Sequence, residues 1–275
     1  MRTRPVPAVL SIAGSDSGGG AGIQADLKAF ARCGVHGMTA ITAITAQNTR
    51  AVERVEAVSP QMVFSQMLAI AEDMGADAVK IGMVGSAATI DAIAVGLTYL
   101  GLAGAPVVVD PVMVAESGAA LIDDETKAAL VDVLFPRCAI VAPNLPEARE
   151  LTGLDKGATQ EELARAVLEL GPKELGGPKA VVVTGGHSEG LVDLFFDGDQ
   201  VVEIPGERHP DGAAHGSGCT HSAALAAFLA HGDEPLEAAR KARAVASEAV
   251  GNGLRGLGAG AGPVDVFGLA AGRRQ

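Results

Sequence analysis

Ala8-Val9-Leu10-Ser11-Ile12-Ala13 runs straight into Gly14-Ser15-Asp16-Ser17-Gly18-Gly19-Gly20-Ala21, and Gly22 opens a segment of helical character that continues to Cys33. A short apolar run, a glycine-rich turn and a helix, in that order, make one strand–loop–helix unit. The same alternation recurs along the chain. Strands are expected at Ala8–Ala13, Thr39–Ala46, Ala78–Ile81, Pro106–Asp110, Cys138–Ala142 and Ala180–Thr184. Helices are expected at Gly22–Cys33, Pro60–Met74, Ser86–Leu100, Asp124–Leu134, Leu145–Leu151, Gln160–Leu170, Gly218–Ala230 and Pro235–Gly251. Strands separated by helices imply an α/β fold with a mostly parallel central sheet covered on both faces. Late in the chain, Leu191–Phe196 and Val201–Pro205 flank Asp197-Gly198-Asp199, which reads as a β-hairpin.

Composition agrees with this layering. With 48% hydrophobic residues, only 3% aromatic residues, no Trp and 36 glycines, the core is built from small aliphatic side chains with many tight turns. No linker or repeat divides the 275 residues, so a single domain spanning 1–275 is expected, with flexible termini at 1–7 and 269–275. A net charge of −12 argues against a nucleic-acid partner, because such binding rests on Lys and Arg neutralising phosphates. Cys33, Cys138 and Cys219 form no CxxC and are too scattered for a disulfide framework, which points to a reducing compartment. No apolar run is long enough to span a membrane and the N-terminus lacks a signal-peptide pattern, so a cytoplasmic protein without a membrane partner is expected.

In open parallel sheets, ligands lie beyond the carboxyl ends of the strands, and the residues just after each apolar run carry the chemistry here. The Gly14–Gly22 loop lacks a Walker lysine and GxGxxG spacing; its glycines indicate close approach of backbone to a ligand. Gln47 offers an acceptor and two donors to a planar heterocycle, or is an ordinary surface amide. Asp110 is suited to Mg2+ through water, or to capping a helix. Asn144 and Glu147, three residues apart, fit either a shared metal-bound water shell or a capping box. In His215-Gly216-Ser217-Gly218-Cys219-Thr220 a glycine turn becomes a helix, so free N–H groups and the helix dipole converge where a phosphate fits. The same field favours the Cys219 thiolate, which makes that residue a candidate base; the other reading is a small buried cysteine. Six histidines in no HxxxH or HExxH arrangement argue against a zinc site, and His215 reads as shaping the turn. Cys33, Cys138 and the helically spaced Met62, Met67 and Met74 read as core packing.

Taken together, Ala13-Gly14-Ser15-Asp16, Gly19 through Asp26, Ala46-Gln47-Asn48-Thr49, Lys80-Ile81-Gly82-Met83, Asp110-Pro111-Val112-Met113, Pro143 through Ala148, Gly185-Gly186-His187 and His215 through Thr220 closely resemble the hydroxymethylpyrimidine/phosphomethylpyrimidine kinases of thiamine biosynthesis. Order and spacing agree from about residue 8 to residue 267. The resemblance implies a ribokinase-like three-layer α/β/α fold, ATP as phosphoryl donor, Mg2+ and a homodimer. It also implies two successive phosphorylations, of 4-amino-5-hydroxymethyl-2-methylpyrimidine to its monophosphate and then to the diphosphate. By that resemblance Gln47 reads the aminopyrimidine edge, and Gly14, Ala21, Asp26, Met83 and Val112 complete the pyrimidine pocket. Asp110 and Glu147 organise Mg2+; Gly216, Ser217 and Gly218 form the anion hole; Cys219 stands at the catalytic-base position. Thr184, Gly186 and His187 fall on the nucleotide side.

Three positions depart from the family pattern. Ser17-Gly18-Gly19 stands where relatives usually have Pro-Ser-Gly, Asp211 through Ala214 where an Asn-Thr pair follows a basic residue, and Thr184 where many carry Lys. Two rival functions follow: a pyridoxal or pyridoxine kinase, which shares the fold and the ring-binding logic, and a non-catalytic pyrimidine-binding protein. Retention of Asp110, Glu147 and Cys219 speaks against the second.

Overall fold

The computed structural model describes residues 4–99, 102–114, 121–172, 174, 176–186, 191–210 and 212–270. In chain order the strands are β1 (Ala8–Asp16), β2 (His36–Gln47), β3 (Val52–Ala57), β4 (Ala78–Ile81), β5 (Val107–Val109), β6 (Ile140–Val141), β7 (Ala180–Val183), β8 (Asp193–Phe196) and β9 (Val201–Ile204). The helices are α1 (Gly22–Arg32), α2 (Pro60–Asp73), α3 (Ala87–Tyr99), α4 (Asp124–Ala129), α5 (Leu145–Thr152), α6 (Gln160–Leu168), α7 (Ser217–Ala230) and α8 (Pro235–Gly251). All nine strands share one sheet in the order β3-β2-β1-β4-β5-β6-β7-β8-β9. From β2 through β7 every neighbouring pair is parallel, while β3, β8 and β9 add antiparallel edges.

Alternate strand residues face opposite layers, as the pleat requires. Leu10, Ile12, Val79, Ile81, Val107, Val109 and Val141 pack against residues of α2, α3, α5 and α6. Val9, Ala78, Val108, Ile140, Ala180 and Val182 face Ala29 and Phe30 of α1, Ala223–Ala227 of α7 and Ala238, Ala239 and Ala242 of α8. The result is a three-layer α/β/α sandwich. Thr220–Ala227 of α7 are buried without a break, because this helix touches the sheet, α1 and α8 at once. Its alanines permit that close approach and erase the two-sided pattern a surface helix shows.

Local signals set the helix ends. Ser59 caps α2 ahead of Pro60, and Thr159 with Glu162 forms a capping box on α6; each such cap contributes about 1 kcal/mol. The strand β3 was not expected from sequence. Val52-Glu53-Arg54-Val55-Glu56-Ala57 buries none of its residues and is held by antiparallel pairing to β2, so it carries no apolar signature. Of Met62, Met67 and Met74, only Met67 is core; Met62, in the first turn of α2, and Met74, its C-cap, are exposed. Cys138 is buried and donates to the Leu134 carbonyl, while Cys33 is only half-buried. Residues 1–3 and 271–275 lie outside the described residues; Arg4 pairs with Asp77, and the Ala270 N–H donates to Asp265 Oδ2. Among the described residues no helix is long and apolar enough to cross a membrane.

Candidate active site

The carboxyl ends of β1, β2, β4, β5, β6 and β7 open on one cleft of about 690 Å3, closed on the far side by the first turn of α7. Gly14, Ala21, Gln47, Met83, Val112, Asp110, Glu147, Thr184, Gly186 and Gly216 through Cys219 all line it. His187 lies outside the described residues.

The glycine-rich loop after β1 is organised from within. Asp16 Oδ1 accepts the Gly18 N–H at 2.7 Å, and Oδ2 accepts those of Gly20 and Ala21 at 2.9 and 2.8 Å. These amides are therefore committed to Asp16 and do not form a phosphate cradle. Burial works against this carboxylate, but His215 at 3.5 Å and the three backbone donors outweigh it and hold its pKa below the ordinary value. His215 thus ties the β1 loop to the approach of α7, consistent with a turn-shaping role.

Asp26 does not reach the pyrimidine pocket expected of it. It lies beneath the floor, 0% exposed, where it accepts from Ser11 at 2.6 Å and from Lys80 at 3.0 and 3.1 Å. The reason is its place on α1, whose buried face also carries Ile23 and Phe30. Lys80, from the middle of β4, lines the cleft in its stead and approaches Asp110 Oδ2 at 3.9 Å. Burial disfavours the Lys80 charge, but Asp26 in the first place overcomes this and raises its pKa. A Cβ on Gly82 would stand 2.8 Å from Lys80 Nζ, so the bare glycine makes room for the ammonium.

Asp110 follows β5 and accepts from Ser222 of α7 at 2.8 Å. Asn144 and Glu147 form the capping box of α5: the Asn144 side chain accepts the Glu147 N–H, and Glu147 Oε2 accepts the Asn144 N–H, each at 2.9 Å. Burial, and then the Asp110 charge, push the Glu147 carboxyl up to about 8. Two buried carboxylates repelling across a cleft suit a hard divalent cation that keeps most of its water, as Mg2+ does. Among the described residues no three His, Cys, Asp or Glu side chains converge on one point, so any such ion would complete its shell with water and substrate oxygens.

At the start of α7, Gly216 has φ +82, and a Cβ there would lie 1.7 Å from the Gly20 carbonyl oxygen. Only glycine permits this left-handed turn against the β1 loop. The N–H groups of Gly218 and Cys219, in the first helical turn, have no intrahelical acceptor and meet the cleft. Cys219 departs from expectation. Cys219 is half-buried at the cleft wall, and desolvation there pushes its thiol up to about 12; Lys80 favours the thiolate, Asp110 and Asp26 oppose it, and the Gly22 N–H supplies partial relief. The helix end therefore works against desolvation at this thiol.

A family model described as phosphomethylpyrimidine kinase matches residues 16–265. The chain belongs to that family. A Rhizobium meliloti (strain 1021) hydroxymethylpyrimidine/phosphomethylpyrimidine kinase is 49% identical over 94% of this chain and 96% of its own length. The crystal structure of a phosphomethylpyrimidine kinase from Clostridium difficile 630 superimposes with a TM-score of 0.74 at 39% identity, covering 89% of this chain and 99% of that one. An ADP complex of Bacillus subtilis pyridoxal kinase superimposes with a TM-score of 0.85 at 34% identity, covering 96% and 99%. This phosphomethylpyrimidine kinase family member therefore has the ribokinase-like architecture implied by its motifs.

Several cleft residues had no sequence assignment as site residues: Lys80, Asp193, Arg208, His209, His221 and Arg243. Lys80 carried a legible signal, being a lone charge inside the four-residue apolar strand Ala78–Ile81. The others come from β8, α7, α8 and the loop after β9, and only the tertiary fold brings them to the cleft.

Proposed function

We propose that this chain transfers the γ-phosphoryl group of ATP to the hydroxymethyl oxygen of 4-amino-5-hydroxymethyl-2-methylpyrimidine, and a second phosphoryl group to the resulting monophosphate, as a step of thiamine biosynthesis. The observation that carries this reading is the convergence of Gln47, Met83 and Val112, the Asp110–Glu147 pair and the first turn of α7 on one cleft. Gln47 reads the aminopyrimidine edge, and Gly14, Ala21, Met83 and Val112 enclose the ring, with the Asp26–Lys80 pair forming the floor below. Thr184, Gly186 and His187 belong to the nucleotide side.

Phosphoryl transfer asks little covalent chemistry of the protein; in-line positioning and neutralised charge supply the rate. Of the Gly216–Gly218 turn expected to form the anion hole, the Ser217 N–H is held by the Ala214 carbonyl at 2.9 Å, so the N–H groups of Gly218 and Cys219, on the turn that Gly216 permits, and the helix dipole face the moving phosphoryl group. Asp110 and Glu147 would hold Mg2+, which when bound would offset phosphate charge. The raised pKa of Glu147, set first by burial and then by the Asp110 charge, supports this assignment, since a cation there would offset both. Cys219 Sγ, in its thiolate form, is the acceptor for the hydroxymethyl proton in the first step. The monophosphate arrives already ionised, so the second step needs no such acceptor.

A single domain over 1–275 is supported by the one continuous sheet. A cytoplasmic homodimer accords with three free thiols and with Ile44 and Val55 exposed on the β2–β3 extension. A pyridoxal kinase is the second reading, favoured by the superposition on the Bacillus subtilis enzyme. Turnover of the pyrimidine alcohol and of pyridoxal, measured side by side with ATP and Mg2+, separates them: the pyrimidine is expected to be the faster substrate, and faster pyridoxal turnover would overturn the assignment.

A further inference from the structure

Asp193, the first residue of β8, is 0% exposed and joins three parts of the fold that border the nucleotide side of the cleft. Its Oδ1 accepts the Gly185 N–H at 2.8 Å, immediately between Thr184 and Gly186. The Arg243 guanidinium of α8 stands 3.5 Å from the same oxygen and donates to the Leu191 carbonyl. His221, two residues beyond Cys219 on α7, places Nε2 at 3.4 Å from Oδ2. Asp193 Oδ2, both His221 ring nitrogens and Arg243 Nε are buried without a hydrogen bond. Charge and packing hold the cluster on that side, so the Gly185 hydrogen bond is the one directional contact of the carboxylate among the described residues.

We infer that Asp193 is a positioning residue for the nucleotide, acting through the Gly185 N–H to fix the turn at Thr184–Gly186 and through Arg243 to anchor that turn to α8. The inference rests on the nucleotide reading of Thr184 and Gly186 given above. Space at the turn leaves little alternative conformation: a Cβ on Gly185 would meet the Val192 carbonyl oxygen at 1.8 Å. The pyrimidine end, at Gly14, Gln47 and Met83, shares no hydrogen bond with Asp193, so its affinity should be insensitive to this residue.

The test is calorimetric titration of the full-length protein with ADP and, separately, with the pyrimidine alcohol, for wild type, Asp193→Asn and Asp193→Ala, alongside melting temperatures. Asp193→Ala removes the acceptor for Gly185 and is expected to weaken ADP by about 10- to 100-fold, the usual worth of a hydrogen bond to a charged group. Asp193→Asn keeps an oxygen for Gly185 and turns its amide to His221, which burial keeps neutral by lowering its pKa, so it should retain most of the ADP affinity. Pyrimidine affinity should stay within about threefold in both. If Asp193→Ala fails to fold, Asp193→Ala/Arg243→Ala, which leaves no unpaired charge, takes its place with the same expectation. Unchanged ADP affinity, or equal losses for both ligands, would overturn the inference. A wild type that binds the pyrimidine but no ADP would overturn the nucleotide reading itself.

Discussion

The Ser222 hydroxyl donates to Asp110 Oδ2 at 2.8 Å and so fastens the end of β5 to the first turns of α7, the helix whose start faces the same cleft. Its oxygen also lies 3.0 Å from the Gly218 carbonyl, within the turn that carries Cys219. The carboxylate proposed to serve Mg2+ is thereby held in register with the turn proposed to receive the phosphoryl group. Partners of this kind typically cost about 10- to 100-fold in metal affinity or activity when removed. Ser222→Ala should therefore raise the Mg2+ concentration for half-maximal rate by about tenfold. An Mg2+ titration of initial rate at saturating pyrimidine checks this, and an unchanged midpoint would mean that Asp110 is held without Ser222.

Burial pushes the Cys219 thiol up to about 12, so across pH 7 to 9 the unliganded protein carries it mostly protonated. The sign follows directly: raising the pH increases the thiolate fraction. If Sγ is the proton acceptor, kcat/KM for the first phosphorylation should climb about tenfold per pH unit over that range. Cys219→Ala should flatten the profile and lower the first step by about 10²- to 10⁴-fold, while the second step changes far less. Equal losses in both steps, with the slope retained, would remove Cys219 from the base role.

Gly216 adopts φ +82 with its Cα facing the Gly20 carbonyl, where a Cβ would stand at 1.7 Å. Gly216→Ala adds strain of about 1–3 kcal/mol and pushes the start of α7 away from the β1 loop. Phosphoryl transfer should fall by about 10²-fold or more, the usual cost of losing one donor to a developing charge. Rate and melting temperature together check this; a variant with wild-type kcat would show that the anion cradle lies elsewhere.

Asp16 has a folded pKa below its ordinary 3.8. A depressed carboxylate stabilises the fold above its unfolded pKa, and that contribution is lost as pH falls through the folded value. The β1 loop should thus stay ordered to below about pH 4 and then release its three amides. Amide hydrogen exchange at Gly18, Gly20 and Ala21 between pH 5 and pH 3 tests this. Asp16→Asn should expose the same amides at every pH.

Much of this architecture was legible because each parallel strand ends in polar or glycine-rich residues where a regular helix has not yet begun. That is why Gln47, Asp110, Asn144 and Thr184, far apart in sequence, meet in one cleft. Asp26 shows where such reading stops. A motif placed it in the site, but on α1 it shares the buried face with Ile23 and Phe30, and its partner Lys80 is 54 residues away. The α1 spacing was a readable sign of burial; the pairing was not. At Asn144–Glu147 both sequence readings drew on the same residues: the capping box forms through Oε2, and the same carboxyl still faces Asp110 across the cleft. At Cys219 the helix dipole is local and visible in sequence, whereas the desolvation of the thiol and the nearby carboxylates of Asp110 and Asp26, which work against its thiolate, arrive only with the fold.

The most direct measurement follows product formation over time after mixing the protein with ATP, Mg2+ and 4-amino-5-hydroxymethyl-2-methylpyrimidine, resolving monophosphate, diphosphate and ADP by phosphorus NMR. The monophosphate should appear first and the diphosphate after it, with one ADP released for each phosphoryl group transferred. Absence of ADP-coupled phosphorylation of this pyrimidine by folded protein would contradict the account.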